Sequence, residues 1–145
     1  MTIAIINTDM NIGPFKIPGN AQNMILNNYA ERNKIVVEEI IPEPFMSNSL
    51  ATTQWVHKKK KLKLVILCSI HQLPQNKERI NNLINSMKEV EFHFVLENIS
   101  GKGKKFVLDC IKEAKIFKNA KIIDSTKTTW SELYKLKKEM NKFLN

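Results

Sequence analysis

Residues 63–68, KLVILC, constrain the fold more than any other stretch of the chain. Apolar side chains fill both alternating positions of the run, so a strand here must be buried on both faces. That environment exists at the centre of a sheet covered on each side. The neighbouring segments supply the covers. TIAII (residues 2–6) reads as a first strand ending at Asn7, Thr8 and Asp9. Residues 20–33 place Ala21, Met24, Ile25 and Tyr29 at helical spacing, after a loop punctuated by Gly13, Pro14, Pro18 and Gly19. IVVEEII (35–41), β-branched and followed by Pro42 and Pro44, predicts a second strand. Residues 45–60 are weakly helical.

Beyond the central strand, Ile80, Leu83, Ile84 and Met87 define a helix face, and EFHFVLE (91–97) alternates like a fourth strand. SGKGKK is expected to open a further helix carrying Phe106, Cys110, Ile111 and Ala114. KIID (121–124) suggests a short fifth strand. Thr129 and Glu132 have capping-box spacing before a stripe of Leu133, Leu136, Met140 and Phe143. Strands alternating with helices predict an α/β fold. Its form is a three-layer α/β/α sandwich with a mainly parallel sheet of four to five strands and right-handed crossovers, flavodoxin-like or resolvase-like. With 145 residues, 43% of them hydrophobic, residues 1–145 are expected to be one domain with a sizeable core.

No apolar run approaches the ~20 residues needed to span a bilayer, and MTIAIINTDM lacks the parts of a secretory signal. No membrane insertion and a cytoplasmic location are therefore expected. Cys68 and Cys110 sit among apolar residues without metal-type spacing and read as buried free thiols. The net charge of +9 comes almost wholly from lysine, since Arg32 and Arg79 are the only arginines. Arginine's planar fork suits base and phosphate recognition better than lysine's point charge. Nucleic acid is thus disfavoured as a partner, although a basic surface attracts any polyanion. KKKKLK (58–63) reads as a solvated helix end, with Trp55 beside it as a packing residue or a stacking platform. His57, His71 and His93 are too scattered for a metal motif, and no cofactor is implied.

In an open parallel sheet, ligands bind beyond the carboxyl ends of the strands, near the point where strand order reverses. The abrupt change from KLVILC to CSIHQLP (68–74) falls at such an end, where Pro74 stops the strand. If the third and fourth strands are neighbours, His71 and Glu97 approach one another. A carboxylate beside an imidazole raises its pKa and orients it for acid/base work, so these two are the catalytic candidates. Ser69, Gln72, Gln22, Asn23, Asn7 and Asp9 are candidates for binding substrate hydroxyls. Ser69 lacks a nucleophile-elbow motif and is read as a hydrogen-bonding group. Ser100, Gly101, Lys102 and Gly103 form a weaker anion-binding candidate at a helix start, without Walker spacing.

IPGNAQNMILNNYA, CSIHQLP and FHFVLEN together resemble the sporadic carbohydrate cluster family of small bacterial proteins, over roughly residues 3–100. Pro18, Gln22, Asn23, Ser69, Gln72, Leu73, Pro74 and Glu97 carry the resemblance. The stretch NTDMNIGPFK departs from it, lacking a serine-arginine pair. The resemblance implies a place in surface-glycan biosynthesis and supplies no reaction. A broader architectural similarity is to serine recombinase catalytic domains, which surround a serine nucleophile with several arginines; this chain has two. The expected function is binding or transforming a sugar, sugar acid or sugar nucleotide, with proton transfer by His71 if it is an enzyme. The alternatives are a noncatalytic module for another pathway enzyme and a nucleic-acid-associated recombinase-like domain. A homodimer is compatible with an exposed terminal helix.

Overall fold

A computed structural model describes residues 1–9, 11–44, 49–119, 135 and 137–142. In chain order, β1 (Thr2–Asn7) leads into a small hairpin of β2 (Asn11–Ile12) and β3 (Phe15–Lys16), followed by α1 (Gly19–Arg32) and β4 (Glu39–Glu43). Then come α2 (Ala51–Lys60), β5 (Leu64–Leu67), a single 3-10 turn (Ile70–Gln72) and α3 (Lys77–Ser86). β6 (Glu91–Phe94), β7 (Ile99–Lys102) and α4 (Lys104–Asn119) complete the described core. Five strands form one sheet in the order β4-β1-β5-β6-β7, parallel except for β7, which pairs antiparallel with β6. From β1 the chain winds to one side for β4 and returns to the other for β5. The strand order therefore reverses between β1 and β5.

Side-chain parity produces the layers. Ile3, Ile5, Val65, Leu67, Phe92 and Phe94 share one cluster with Val56 of α2, Leu83 of α3 and Ile111 of α4. Ala4 and Ile66 turn to the opposite face and pack with Leu26, Tyr29 and Ala30 of α1. β5 is thus apolar on both sides because it lies between two layers, as KLVILC requires.

Several boundaries differ from the sequence reading. β4 begins at Glu39 and runs through Pro42, while Ile35–Glu38 precede it and Val36 is 80% exposed. β4 pairs only with β1, so it is an edge strand, where a missing proline N–H is tolerated. The fourth strand stops at Phe94: the chain turns over residues 95–98, with Asn98 in the left-handed region at φ 54°. SGK then forms β7, the fifth strand of the sheet, and α4 starts only at Lys104. Gly101 is small because a Cβ there would lie 2.6 Å from the Phe106 ring. KIID lies outside the described residues, as do most of those of the final helix; Lys135 and residues 137–142 are helical.

α2 has no side-chain cap of its own, since Leu50 stands at its N-cap. Glu43, only 4% exposed, supplies one from β4: its Oε1 accepts from Thr53 N at 2.6 Å and Thr53 Oγ1 at 2.7 Å. A carboxylate is electrostatically favoured at a helix N-terminus. Cys68 and Cys110 are buried free thiols. Burial, then the nearby Glu97 charge, pushes Cys68 up to about 12, and burial foremost pushes Cys110 up to about 11. No helix among the described residues is long and apolar enough to cross a membrane.

Candidate functional site

At the carboxyl end of β5 the chain enters the 3-10 turn through Ser69, and three side chains fix that turn. Ser69 Oγ accepts from His71 N at 3.2 Å, while Gln72 Oε1 accepts from Ser69 N at 3.2 Å, forming a reciprocal capping box. Glu97 reaches across from the turn after β6. Its Oε2 accepts from Ser69 Oγ at 2.8 Å and its Oε1 from Ile70 N at 2.7 Å. Ser69 is fully buried and Gln72 is 5% exposed. Ser69 Oγ is engaged within the turn and with Glu97, and Gln72 Oε1 within the turn.

Glu97 therefore does not adopt the expected arrangement with His71: both its oxygens accept from Ser69 and Ile70. The imidazole instead lies between two aromatic rings. Its centroid is 6.0 Å from Phe15 of β3 and 5.6 Å from Phe117 near the end of α4, both edge-on. His71 is half-buried, while Phe15 and Phe117 are 40% and 56% exposed. Burial holds its pKa below the ordinary 6.5, opposed by the Glu97 charge and then by Glu113. The direction is the reverse of that expected from a carboxylate partner, because desolvating an imidazolium outweighs attraction across a gap. The imidazole is accordingly neutral at pH 7.

Gly13 explains how the hairpin approaches so closely. It has φ +57°, and a Cβ there would lie 2.4 Å from His71 Cγ. Only glycine provides both the left-handed turn and the space for the ring.

A second clamp closes the end of β1. Gln22 is fully buried on α1; its Oε1 accepts from Asn7 N at 2.8 Å, and its Nε2 donates to Asn7 O at 2.9 Å and Ile17 O at 2.8 Å. Asp9 Oδ1 accepts from Asn11 N at 3.3 Å and from Asn11 Nδ2 at 3.1 Å, within the hairpin entry. Beside Gln22, Asn23 Oδ1 is buried without a donor among the described residues.

The structure thus joins Ser69, Gln72 and Glu97 in one network and Gln22 with Asn7 in another. Ser100, Gly101, Lys102 and Gly103 do not belong to either. Lys102 pairs with Glu91 at the amino ends of the parallel strands. From there α4 must run thirteen residues, about 20 Å at 1.5 Å per residue, to bring Phe117 to His71. The three histidines serve separately. His57 Nδ1 accepts from Leu62 N at 2.9 Å; His93 lies 2.7 Å from the Tyr29 hydroxyl through Nδ1 and 3.1 Å from Glu91 through Nε2. Among the described residues no group of His, Cys, Asp and Glu could hold a metal ion.

Phe15 and Phe117 were not singled out in the sequence, and Gly13 was read only as loop punctuation. Ile12-Gly-Pro-Phe15 does carry a two-residue hairpin signal, and Phe117 continues the helical stripe of Phe106, Cys110 and Ala114. Neither signal reveals that both rings meet one histidine.

No protein-family model matches the chain, and no curated protein matches it. Among solved structures, the N-terminal catalytic domain of TP901-1 integrase is similar, with a TM-score of 0.55 at 14% identity. The match covers 83% of this chain and 98% of that domain. The chain has a resolvase-like α/β fold. At this identity the likeness concerns architecture alone, and chemistry must be argued from the residues.

Proposed function

We propose that this chain binds a sugar, sugar acid or activated sugar at the carboxyl edge of the β1–β5 region, with the neutral His71 imidazole as its central polar group. The observation that carries the reading is His71 itself, half-buried between two partly exposed phenylalanines and held by a turn that three other side chains immobilise. Aromatic rings offer apolar surface to the C–H faces of a sugar. A neutral imidazole can accept a hydrogen bond or a proton from a hydroxyl.

Ser69, Gln72, Glu97 and Gln22 act as positioning residues in this reading, and Asn7, Asn23 and Asp9 remain candidates for ligand contact. Asn23 Oδ1 supports that assignment, being an acceptor that a ligand donor would satisfy. If a reaction follows, His71 is the acid/base group and proton transfer the reaction class. The surface-glycan pathway, with another pathway enzyme as a partner, rests on the sequence resemblance to the sporadic carbohydrate cluster family alone, which no family model supports.

The integrase likeness and the net charge of +9 favour a second reading, a nucleic-acid-associated domain. Strand cleavage is the weaker form of it. Ser69 is fully buried and hydrogen-bonded to Glu97, and the chain has only two arginines, Arg32 in the last turn of α1 and Arg79 in the first turn of α3.

Thermal melting of wild type and His71→Ala with sugars, sugar nucleotides and duplex DNA separates the readings. A ligand at 100 times its dissociation constant stabilises the fold by about 2.7 kcal/mol. The expected result is a raised midpoint with a sugar-type ligand, lost in His71→Ala. A shift with DNA alone, unchanged in His71→Ala, would favour the second reading.

A further inference from the structure

The end of the sheet opposite His71 carries a concentration of lysine that the sugar-binding reading does not use. α2 starts beside the carboxyl end of β4, where Glu43 caps it, and its second half runs to this opposite end; it buries Thr53 and Val56 and turns Trp55, Lys58 and Lys59 outward. Trp55 precedes Lys58 and Lys59 by three and four residues, so all three share one helix face. Trp55 is 60% exposed, which corrects its reading as a packing residue. The same pole continues along the strand starts. Lys61 and Lys63 flank the entry to β5, and Lys63 O accepts from Glu91 N, opposite Lys102 on β7.

Acidic side chains offset only part of this charge. Glu39 is paired with Lys60 at 3.1 Å, Glu38 Oε2 accepts from Thr2 N, and Glu91 Oε1 is engaged with His93. Lys58, Lys59, Lys61, Lys63 and Lys102 are all exposed.

We propose that this pole docks the protein peripherally on an anionic phospholipid surface, with Trp55 entering the headgroup layer and the surrounding lysines facing lipid phosphates. Two features favour lipid over nucleic acid as the polyanion. The cluster is lysine throughout, which suits a diffuse sheet of charge better than bidentate capture of individual phosphates or bases. An amphipathic indole beside the charges is the side chain that partitions to a membrane–water interface. The pole's position leaves the His71 edge facing away from the surface and open to a ligand.

The test is sedimentation with vesicles of phosphatidylcholine alone and of phosphatidylcholine with 30% phosphatidylglycerol, on the order of a physiological surface charge, at 0.1 M salt. Wild type should bind only the anionic vesicles. Each lysine near such a surface contributes about 1 kcal/mol, or roughly fivefold, so Lys58→Ala with Lys59→Ala should reduce the partition about 25-fold without altering the melting midpoint. Indole emission should shift to the blue on binding, and Trp55→Phe should abolish that shift. Absence of binding to anionic vesicles would overturn the proposal. So would binding that is indifferent to the two lysines, or binding of single-stranded or duplex DNA at the same salt with none to vesicles. His71→Ala should bind vesicles normally, so this result stands or falls independently of the ligand site.

Discussion

Gln22→Leu is expected to destabilise the protein by about 4 kcal/mol, since each buried backbone group left unpaired costs about 1–3 kcal/mol. Leucine fills nearly the same volume but leaves Asn7 N, Asn7 O and Ile17 O without their partners. Gln22 is fully buried, so water cannot follow the amide into its place; Asn7 is half-buried and recovers a little hydration. Urea unfolding should show a lower midpoint with an unchanged slope. A loss below about 1 kcal/mol would mean that the segment between β1 and α1 satisfies these groups in another way.

Glu97→Ala is expected to cost about 3 kcal/mol, because hydrogen bonds to a charged group contribute about 1.5–3 kcal/mol each and this carboxylate is partly solvated. It removes the acceptors of Ser69 Oγ and Ile70 N together. The local effect should exceed the global one. Amide exchange at Ile70 and His71 should accelerate more than in the core of β5, because the 3-10 turn loses the clamp that ties it to β6. Equal acceleration throughout the chain would contradict the assigned role. Glu97→Gln should be milder, since an amide oxygen still accepts from Ile70 N.

The two clamps explain how far the sequence alone could lead. KLVILC and CSIHQLP located the strand and its carboxyl end, because burial on both faces and its abrupt end are local properties of the chain. The partners of those residues are not local. Glu97 was correctly brought to the end of the third strand, yet which atoms it would meet depended on a turn at residues 95–98 that the alternation of Phe92, Phe94 and Leu96 concealed. Leu96 continues the pattern but is 42% exposed, because Asn98 reverses the chain into β7. The same reversal turned Ser100, Gly101 and Lys102 from an expected helix start into an edge strand. β4 shows the complementary case: Pro42 suggested a strand end, but an edge strand tolerates it.

His71 also makes stability depend on pH. Its folded pKa lies below the ordinary 6.5, so between these two values the unfolded chain binds more proton than the folded one. Stability from this group is complete above about 6.5 and declines as pH falls toward the folded pKa. Ligand binding that needs a neutral imidazole should weaken over the lower part of the same window.

An NMR titration of His71 in the free protein, repeated with a ligand that raises the melting midpoint, tests the central claim most directly. The account predicts a free-protein midpoint below 6.5 and a displaced midpoint when the ligand is bound. A midpoint at or above 6.5 that no ligand moves would show His71 to be a solvated loop side chain, and the site would have to be sought elsewhere.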